Sequence, residues 1–373
     1  MASPMHIVLT VNAAWNILNF RQPLVEALLA DGHRLTVLAS RDEAVPALER
    51  LGCSFVNLKM DRKGLNPVSD FALAVRLYRH FRQLRPDCVL SFTIKNNIFG
   101  AYAARLSNTR FIPNVTGLGT AFLSSGLLKY LSQAMYKTAF YHLPVVFFQN
   151  DDDRDLFVSS KLVRTEQTRT LPGSGIDLEK YAQVPYPAVH TPTRFLMIAR
   201  LLYDKGVVEF VEAAKLMHGN GAVRFELLGA IDPHNRTGIA KELLDAWIAN
   251  GTVIHHGTTD DVRPYIAAAH CVVLPSYREG APRTLIEAAA IGRPLIATNV
   301  PGCKSVVDDC VNGFLCDVKS AASLRDAMLR FTALSYDEKA AMAESSRRLA
   351  ESRFSVAQII SSYQDAIHST IDL

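Results

Sequence analysis

Four charged residues in the second half of the chain have types and spacing that could do chemistry: Arg200, Lys205, Glu279 and Glu287. Glu279 and Glu287 lie eight residues apart, the first in a loop and the second inside the helix that follows. They cannot act as one close pair from a single helix face. Two solvated glutamates on an ordinary amphipathic helix would have this spacing, and so would two groups with separate tasks at one ligand. In the second case the helix start beside Pro282 offers free N–H groups and a positive dipole end to a phosphate. Glu287, further along, could accept hydrogen bonds from vicinal hydroxyls, as the acidic residue of dinucleotide folds does for ribose. Glu279 would face whatever hangs from the phosphate. Arg200, at a strand end, and Lys205, before a helix start, could clamp a diphosphate and neutralise it as it departs. A sugar nucleotide meets all these demands.

The elements that must position these residues read as alternating strand and helix. Cys271–Leu274 is a short apolar run that fits a buried strand, Gly280 and Pro282 mark a tight turn, and Pro282 is expected as the first helical residue. Leu285, Ala288, Ala289 and Ile291 space an apolar helix face, Gly292 ends it before Pro294, and Leu295–Thr298 is the next strand. Strand Phe195–Ala199 leads into Arg200, and helix Gly206–Met217 follows Lys205. Strands are also expected at Arg224–Leu228, Val253–His256 and Gly313–Cys316, with helices at Gly238–Asn250, Val262–Ala269 and Leu324–Leu329. The first half repeats the alternation. Its strands are His6–Val11, Leu35–Ala39, Ser54–Leu58, Cys88–Phe92, Phe111–Val115 and Val145–Phe148. Its helices are Phe20–Ala30, Asp42–Leu51, Ser69–Leu84, Ile98–Leu106 and Leu127–Phe140, with Asn12–Asn16 as a loop. This predicts an α/β chain of two doubly wound, Rossmann-like domains with ligands at the carboxyl ends of the strands. Tyr181–Pro192 holds three prolines without apolar periodicity and reads as a linker. Val356, Ile359, Ile360, Tyr363 and Ile367 give the tail helical spacing.

The run Y-R-E-G-A-P-R-T-L-I-E-A-A-A-I-G-R-P-L-I-A-T, Tyr277–Thr298, resembles the donor-binding segment of retaining glycosyltransferases of family 4, and Arg200–Gly206 resembles that family's R-x4-K-G element. The resemblance implies the GT-B fold, two Rossmann-like domains facing a cleft. Residues 1–182, with 354–373 packing back, would bind the acceptor, and 192–353 the nucleotide sugar. It implies catalytic roles for Glu279, Arg200 and Lys205, and donor contacts from Glu287, Gly280, Ala281, Pro282, Thr284 and Leu285. His256-Gly257-Thr258 resembles the loop that packs the base, which adds Thr258; Thr259 or Asp260 is also expected to cap the next helix. The runs F-R-Q-P, L-N-P, S-F-T-I-K-N-N-I-F-G and T-G-L-G resemble a branch acting on bacterial surface polysaccharides and lipid-linked glycans. Lys95, Asn96, Thr116 and Trp15 are the expected acceptor-side residues. The chain departs from the family in four places: no glycine lies in Asn12–Asn16, Thr116 stands where many members have histidine, Ser305 where glutamate is usual, and Ala281 where a larger residue is usual. Trp15 is equally readable as a core anchor.

The resemblance implies transfer of a hexose or N-acetylhexosamine from a UDP-sugar to a polyprenyl-diphosphate-linked saccharide, with retention, no metal and no cofactor. No carboxylate presents itself as a nucleophile, so the acceptor is expected to attack from the leaving-group face. A UDP-sugar 2-epimerase and an inactive membrane scaffold are the alternatives; an NAD-dependent enzyme would need a G-x-G-x-x-G after a first strand, and neither half has one.

Composition agrees with a globular protein, 49% hydrophobic and 20% charged over 373 residues. The N-terminus lacks a basic segment before its apolar run, and no apolar run is long enough to span a bilayer, so a cytoplasmic location is expected. Net charge +4 conceals an asymmetry: Met1–Gln149 holds 16 Lys and Arg against 8 Asp and Glu, the remainder 24 against 28. The basic half suggests an anionic partner: membrane lipid, diphosphate or nucleic acid. With the acceptor class that the resemblance implies, an anionic membrane surface at the inner face of the plasma membrane is expected, and no nucleic acid. Phe122–Tyr141, rich in apolar and aromatic residues with Lys129, Lys137 and no acid, could lie on a membrane or be a core helix. Asp151–Asp155 imitates a D-x-D metal motif, but acids suit the start of a helix there. The six cysteines form no C-x-x-C pair and are expected reduced and mostly buried.

Overall fold

The computed structural model describes residues 3–61, 66–118, 122, 126–188, 192–217, 222–232, 235 and 237–370. Leu65 of the L-N-P run, Gly119 of the T-G-L-G run, 123–125 of the Phe122–Tyr141 segment and 189–191 of the Tyr181–Pro192 stretch lie outside them. The chain divides into two units: Met1–Ser174 with Val356–Leu373, and Gly175–Ser355.

The first unit is a seven-stranded sheet in the order β3-β2-β1-β4-β5-β6-β7, every pair parallel. The strands are β1 His6–Thr10, β2 Arg34–Ala39, β3 Ser54–Asn57, β4 Cys88–Phe92, β5 Arg110–Val115, β6 Val146–Phe148 and β7 Thr168–Thr170. The central ones are buried along almost their whole length, as in a sheet covered on both faces. Ile7, Leu9, Leu90 and Ile112 pack on one face with helices Ala14–Ala30 and Val356–Ser369. Val8, Val89, Phe111 and Val115 pack on the other with helices Pro67–Leu84, Ile94–Ser107 and Leu127–Phe140.

The second unit is a six-stranded parallel sheet, β10-β9-β8-β11-β12-β13. Its strands are β8 Thr193–Ile198, β9 Val223–Leu228, β10 Ile254–His255, β11 Cys271–Leu274, β12 Leu295–Thr298 and β13 Gly313–Cys316. Strand order reverses between β1 and β4 in one unit and between β8 and β11 in the other, the places where doubly wound sheets bind ligands.

Several boundaries differ from those the sequence suggests. The first helix begins at Ala14, so Trp15 and Asn16 are helical rather than in a loop. Its early amides are served from outside the segment: Trp15 N–H donates to Asp42 Oδ2 at 3.0 Å, a cap that local sequence cannot reveal. The fourth helix begins at Ile94, which puts Lys95 and Asn96 in its first turn. Helix Arg283–Ile291 starts one residue after Pro282, which takes the N-cap position. The 181–192 stretch is not the joint between units. Residues from Gly175 onward belong to the second, because Ile176 N–H donates to Phe354 O and Tyr181 is buried in that unit's core. β7 and helix Tyr336–Arg353, the latter with a Ser335–Glu338 capping box, are further elements.

Candidate active site

In the second unit, three loops converge at the carboxyl ends of β8, β11 and β12. After β8 come Arg200, a short 3-10 turn Tyr203–Lys205, and Gly206 at φ 76°. A side chain at Gly206 would place Cβ 2.1 Å from Pro275 O, so only glycine lets this turn lie against the loop after β11. That contact is tied by Tyr277 N–H to Asp204 O (2.9 Å), by Ser276 Oγ to the same carbonyl (3.1 Å), and by the Tyr277 hydroxyl to Glu209 Oε1 (2.7 Å). Gly302, at φ 82°, plays the same part after β12: a Cβ there would meet Glu279 O at 2.4 Å. Glu279 N–H donates to Pro301 O at 3.2 Å.

This packing brings Lys205 Nζ to 2.5 Å from Glu279 Oε1, with both side chains largely buried. The pair links residues 74 apart in sequence. Beneath it Cys303 is fully buried, and burial, with the nearby Glu279 charge, pushes its thiol well up. Arg200 is exposed and stands 3.6 Å from Asp232.

Helix Arg283–Ile291 presents its N-terminus at the same place, with no side-chain cap among the described residues. Thr284 Oγ1 anchors it to Ile198 O at the end of β8 (3.1 Å). Glu287 is 7% exposed, and its Oε1 accepts from both the Tyr181 hydroxyl and Arg283 Nε at 2.8 Å. Ala281 and Gly280 line the turn before the helix, half-buried, and Pro282 is buried. Leu285 belongs to the core instead: its side chain is fully buried and its amide donates to Pro282 O, so it orients the helix rather than facing a ligand. Thr258 is exposed in a loop held by Gly229 N–H to Gly257 O (2.7 Å). The helix after this loop is not capped by Thr259 or Asp260; Asp261 Oδ1 accepts from Arg263 N–H at 3.0 Å. Ser305, where glutamate was expected, closes a turn by donating to Gly302 O at 2.6 Å.

In the first unit the β1/β4 end is assembled differently. Trp15 is 48% exposed and edge-on to Phe20, so it is a surface residue and not a core anchor. Lys95 Nζ is 2.7 Å from Asp70 Oδ1. Asn96 is fully buried, donating to Thr10 Oγ1 (2.9 Å) and accepting from Thr93 Oγ1 (3.0 Å). It holds the loop and leaves ligand contact to its neighbours. Thr116 is half-buried after β5. Asp151–Asp153 form the first turn of helix Asp151–Ser159 under an Asn150 N-cap.

Family models match both halves: residues 192–333 as "Glycosyl transferases group 1" and residues 6–150 as "Glycosyl transferase 4-like". The chain is a glycosyltransferase, with a 4-like domain in its first half and a group 1 domain in its second. It is accordingly an enzyme of the hexosyltransferase class, and the epimerase and scaffold alternatives fall away. It is similar, at 26% identity over 90% of each chain, to the N,N'-diacetylbacillosaminyl-diphospho-undecaprenol alpha-1,3-N-acetylgalactosaminyltransferase of Campylobacter jejuni. It shares 24% identity over 72% of each chain with an Escherichia coli UDP-Gal:alpha-D-GlcNAc-diphosphoundecaprenol alpha-1,3-galactosyltransferase. Among solved structures, a Rickettsia africae glycosyltransferase superposes with a TM-score of 0.78 at 18% identity, covering 99% of each chain. Anabaena Alr3699/HepE in complex with UDP gives 0.78 at 17%, covering 98% of this chain and 100% of that one. The fold is therefore that of the GT-B glycosyltransferases.

Two residues of this glycosyltransferase's candidate site, Arg283 and Tyr181, are not singled out by the sequence reading. Arg283 could have been found, because it stands four before Glu287 on one helix face. Tyr181 could not: it lies 106 residues from Glu287 in a stretch without periodicity. Among the described residues no helix is long and apolar enough to cross a membrane.

Proposed function

We propose that this glycosyltransferase moves a hexose or N-acetylhexosamine from a UDP-sugar to a polyprenyl-diphosphate-linked saccharide at the inner membrane face, with retention of configuration and without a metal. The observation that carries the reading is the convergence of Lys205, Glu279, Glu287 and a helix N-terminus at the β8/β11 reversal. A nucleoside diphosphate sugar presents the complementary groups in order: vicinal ribose hydroxyls for Glu287, phosphates for the helix start, Lys205 and Arg200, and sugar hydroxyls for Glu279. Leaving-group charge then develops beside cations and amide dipoles already in position, which is how such sites lower a barrier. The acceptor attacks from the face the diphosphate leaves, and a diphosphate oxygen takes its proton. Glu279 is paired to Lys205 and suits a holding role better than a nucleophilic one. The acceptor class is supported by the two relatives whose names give undecaprenyl-diphosphate-linked acceptors and by the basic first half of the chain.

The test is a panel of UDP-, GDP- and ADP-sugars, with and without a polyprenyl-diphosphate monosaccharide, read by thermal shift and nucleotide release. Stabilisation by one UDP-sugar, with UDP release requiring the lipid and an α-linked product by NMR, is expected to survive chelator. A β-linked product overturns retention; loss of turnover with chelator overturns the metal-free claim.

A further inference from the structure

Glu287 is held by more than its own helix. Its Oε1 takes two hydrogen bonds, from the Tyr181 hydroxyl and from Arg283 Nε. Tyr181 and Glu287 are each 7% exposed. A carboxylate that far from water must be paired, and the bonds it makes there fix its direction. Burial, reinforced by the Glu287 charge, pushes the phenol up to about 12, so the hydroxyl keeps its proton and donates.

The segment that delivers Tyr181 is itself clamped. Arg347 Nη1 donates to Tyr181 O (3.0 Å) and Arg263 Nη1 to Lys180 O (3.1 Å). Val184 N–H donates to Ile291 O (3.2 Å), and buried Arg293 donates to Val184 O (3.1 Å) and Pro185 O (3.0 Å). Three arginines thus hold an irregular strap by its carbonyls, and the Tyr181 side chain projects from it to the one carboxylate assigned to the nucleotide. A phenylalanine would fill the same space in the core. Only the hydroxyl requires Glu287.

We propose that Tyr181, with Arg283, is a positioning residue for donor recognition: by occupying Oε1 it presents Oε2 of Glu287 to the ribose hydroxyls, and so makes the site select a ribonucleotide over its 2′-deoxy counterpart. This rests on the reading of Glu287 as the ribose contact. A site built to bond a hydroxyl rejects the analogue lacking it because its own polar group is left unpaired. That penalty is largest when the carboxylate cannot turn away.

The experiment measures UDP and 2′-deoxy-UDP affinities by calorimetry on the full-length protein and takes their ratio. General damage to the site weakens both ligands and leaves the ratio alone. Tyr181→Phe is expected to lower the ratio about tenfold, the scale of one charged hydrogen bond, while saturated turnover with the UDP-sugar falls only a few-fold. Tyr186→Phe, which removes a hydroxyl of the same strap bonded to His270 O at 3.2 Å, is expected to leave the ratio unchanged. Should Tyr181→Phe not fold, Arg283→Lys serves: it loosens the same oxygen, and the phosphates are common to both ligands. Glu287→Gln separates the two levels of the argument. If it collapses the ratio while Tyr181→Phe and Arg283→Lys do not, the positioning role is wrong and the ribose contact stands. If Glu287→Gln leaves the ratio intact, the ribose contact itself is wrong.

Discussion

The two units share a plan and differ in what they place at the reversal of strand order. At β8/β11 the second unit gathers charge in tight pairs: Lys205 with Glu279 at 2.5 Å, on loops brought together by glycines that admit no side chain, and Arg283 with Glu287 at 2.8 Å, one turn apart on the helix that follows. At β1/β4 the first unit has one such pair, Lys95 with Asp70 at 2.7 Å, and otherwise buries a network of amides and hydroxyls: Asn96 to Thr10, Asn97 to Asn114 O (2.7 Å), Asn114 to the Tyr363 hydroxyl (2.6 Å). Thr93 there sits at φ 74°, ψ 147°, a region nearly reserved for glycine, and such strain is typical of functional loops. Connecting helices of a parallel sheet start near the carboxyl ends of strands. The exposed Val68, Phe71, Tyr130 and Leu131, all in or near first turns, therefore rim the same end as Trp15 and Lys95. A charged, preorganised end suits a small polyanion. An end built mainly of amides and hydroxyls, with an apolar rim, suits a ligand with a long apolar part.

The sharpest way to break this contrast is at the Lys205–Glu279 pair. Glu279→Ala is expected to cut turnover about 10²–10³-fold, the scale of losing one preorganised polar group, with UDP affinity kept within a few-fold. Lys205→Ala is expected to weaken UDP binding as well as turnover. Because the two groups hold each other, the double variant is expected to be little worse than the poorer single one. Losses in kcat/KM that simply multiply would mean two independent side chains and no paired site. An equal loss of UDP binding in Glu279→Ala would move that residue off the sugar.

The same contrast explains what the sequence could reveal. The donor end was legible because its chemistry is concentrated in one run, Tyr277–Thr298, plus Arg200–Gly206, each bounded by strand and helix patterns. Its supports were not, since Tyr181 and Glu209 reach their partners across long sequence separations. Leu285 matched the motif yet lies in the core, because a motif marks a helix as a whole and burial sorts its faces. The acceptor end was blurred at its boundaries. The helix carrying Trp15 is capped by Asp42 from another loop, and Lys95 turned out to be helical. Nothing in single-residue propensity anticipates a network of amides and hydroxyls made of Thr10, Asn96, Asn97, Asn114 and Tyr363 from four separate segments.

The apolar rim gives a second, smaller test. Replacing Phe71, Tyr130 and Leu131 together by serine removes exposed apolar area without disturbing buried contacts. KM for a long-chain polyprenyl acceptor in vesicles is expected to rise about tenfold, since each buried methylene contributes on the order of 0.8 kcal/mol. KM for a short-chain, water-soluble acceptor and affinity for UDP are expected to stay put. An equal rise for both acceptors would assign these residues to the fold rather than to the lipid, and the two ends would then differ only in charge.

The smallest expected effect separates the units by acid. In the first, burial lowers the pKa of His6, His33 and His80 below 6.5. His33 Nδ1 accepts from Met5 N–H, so a proton there would displace a backbone bond. A base lowered on folding binds its proton later than in the unfolded chain, so stability is lost as pH falls from 6.5 toward the folded value. The second unit has one such histidine among the described residues, His270. Its Glu226 behaves differently: burial would raise the carboxyl, but bonds from Arg194 and His256 outweigh it and hold it below 4.5. That contribution persists above 4.5 and disappears only as pH falls through the folded value. Between pH 7.5 and 5.5, amide exchange corrected for intrinsic rates should therefore accelerate a few-fold more in β1, β2 and β4 than in β8, β9 and β11, and His33→Gln should remove part of the difference. Below pH 4.5 the order should reverse as Glu226 titrates. Equal acceleration in both sheets throughout would show that neutral and charged polar networks resist acid alike, and the contrast between the two ends would then concern ligands alone.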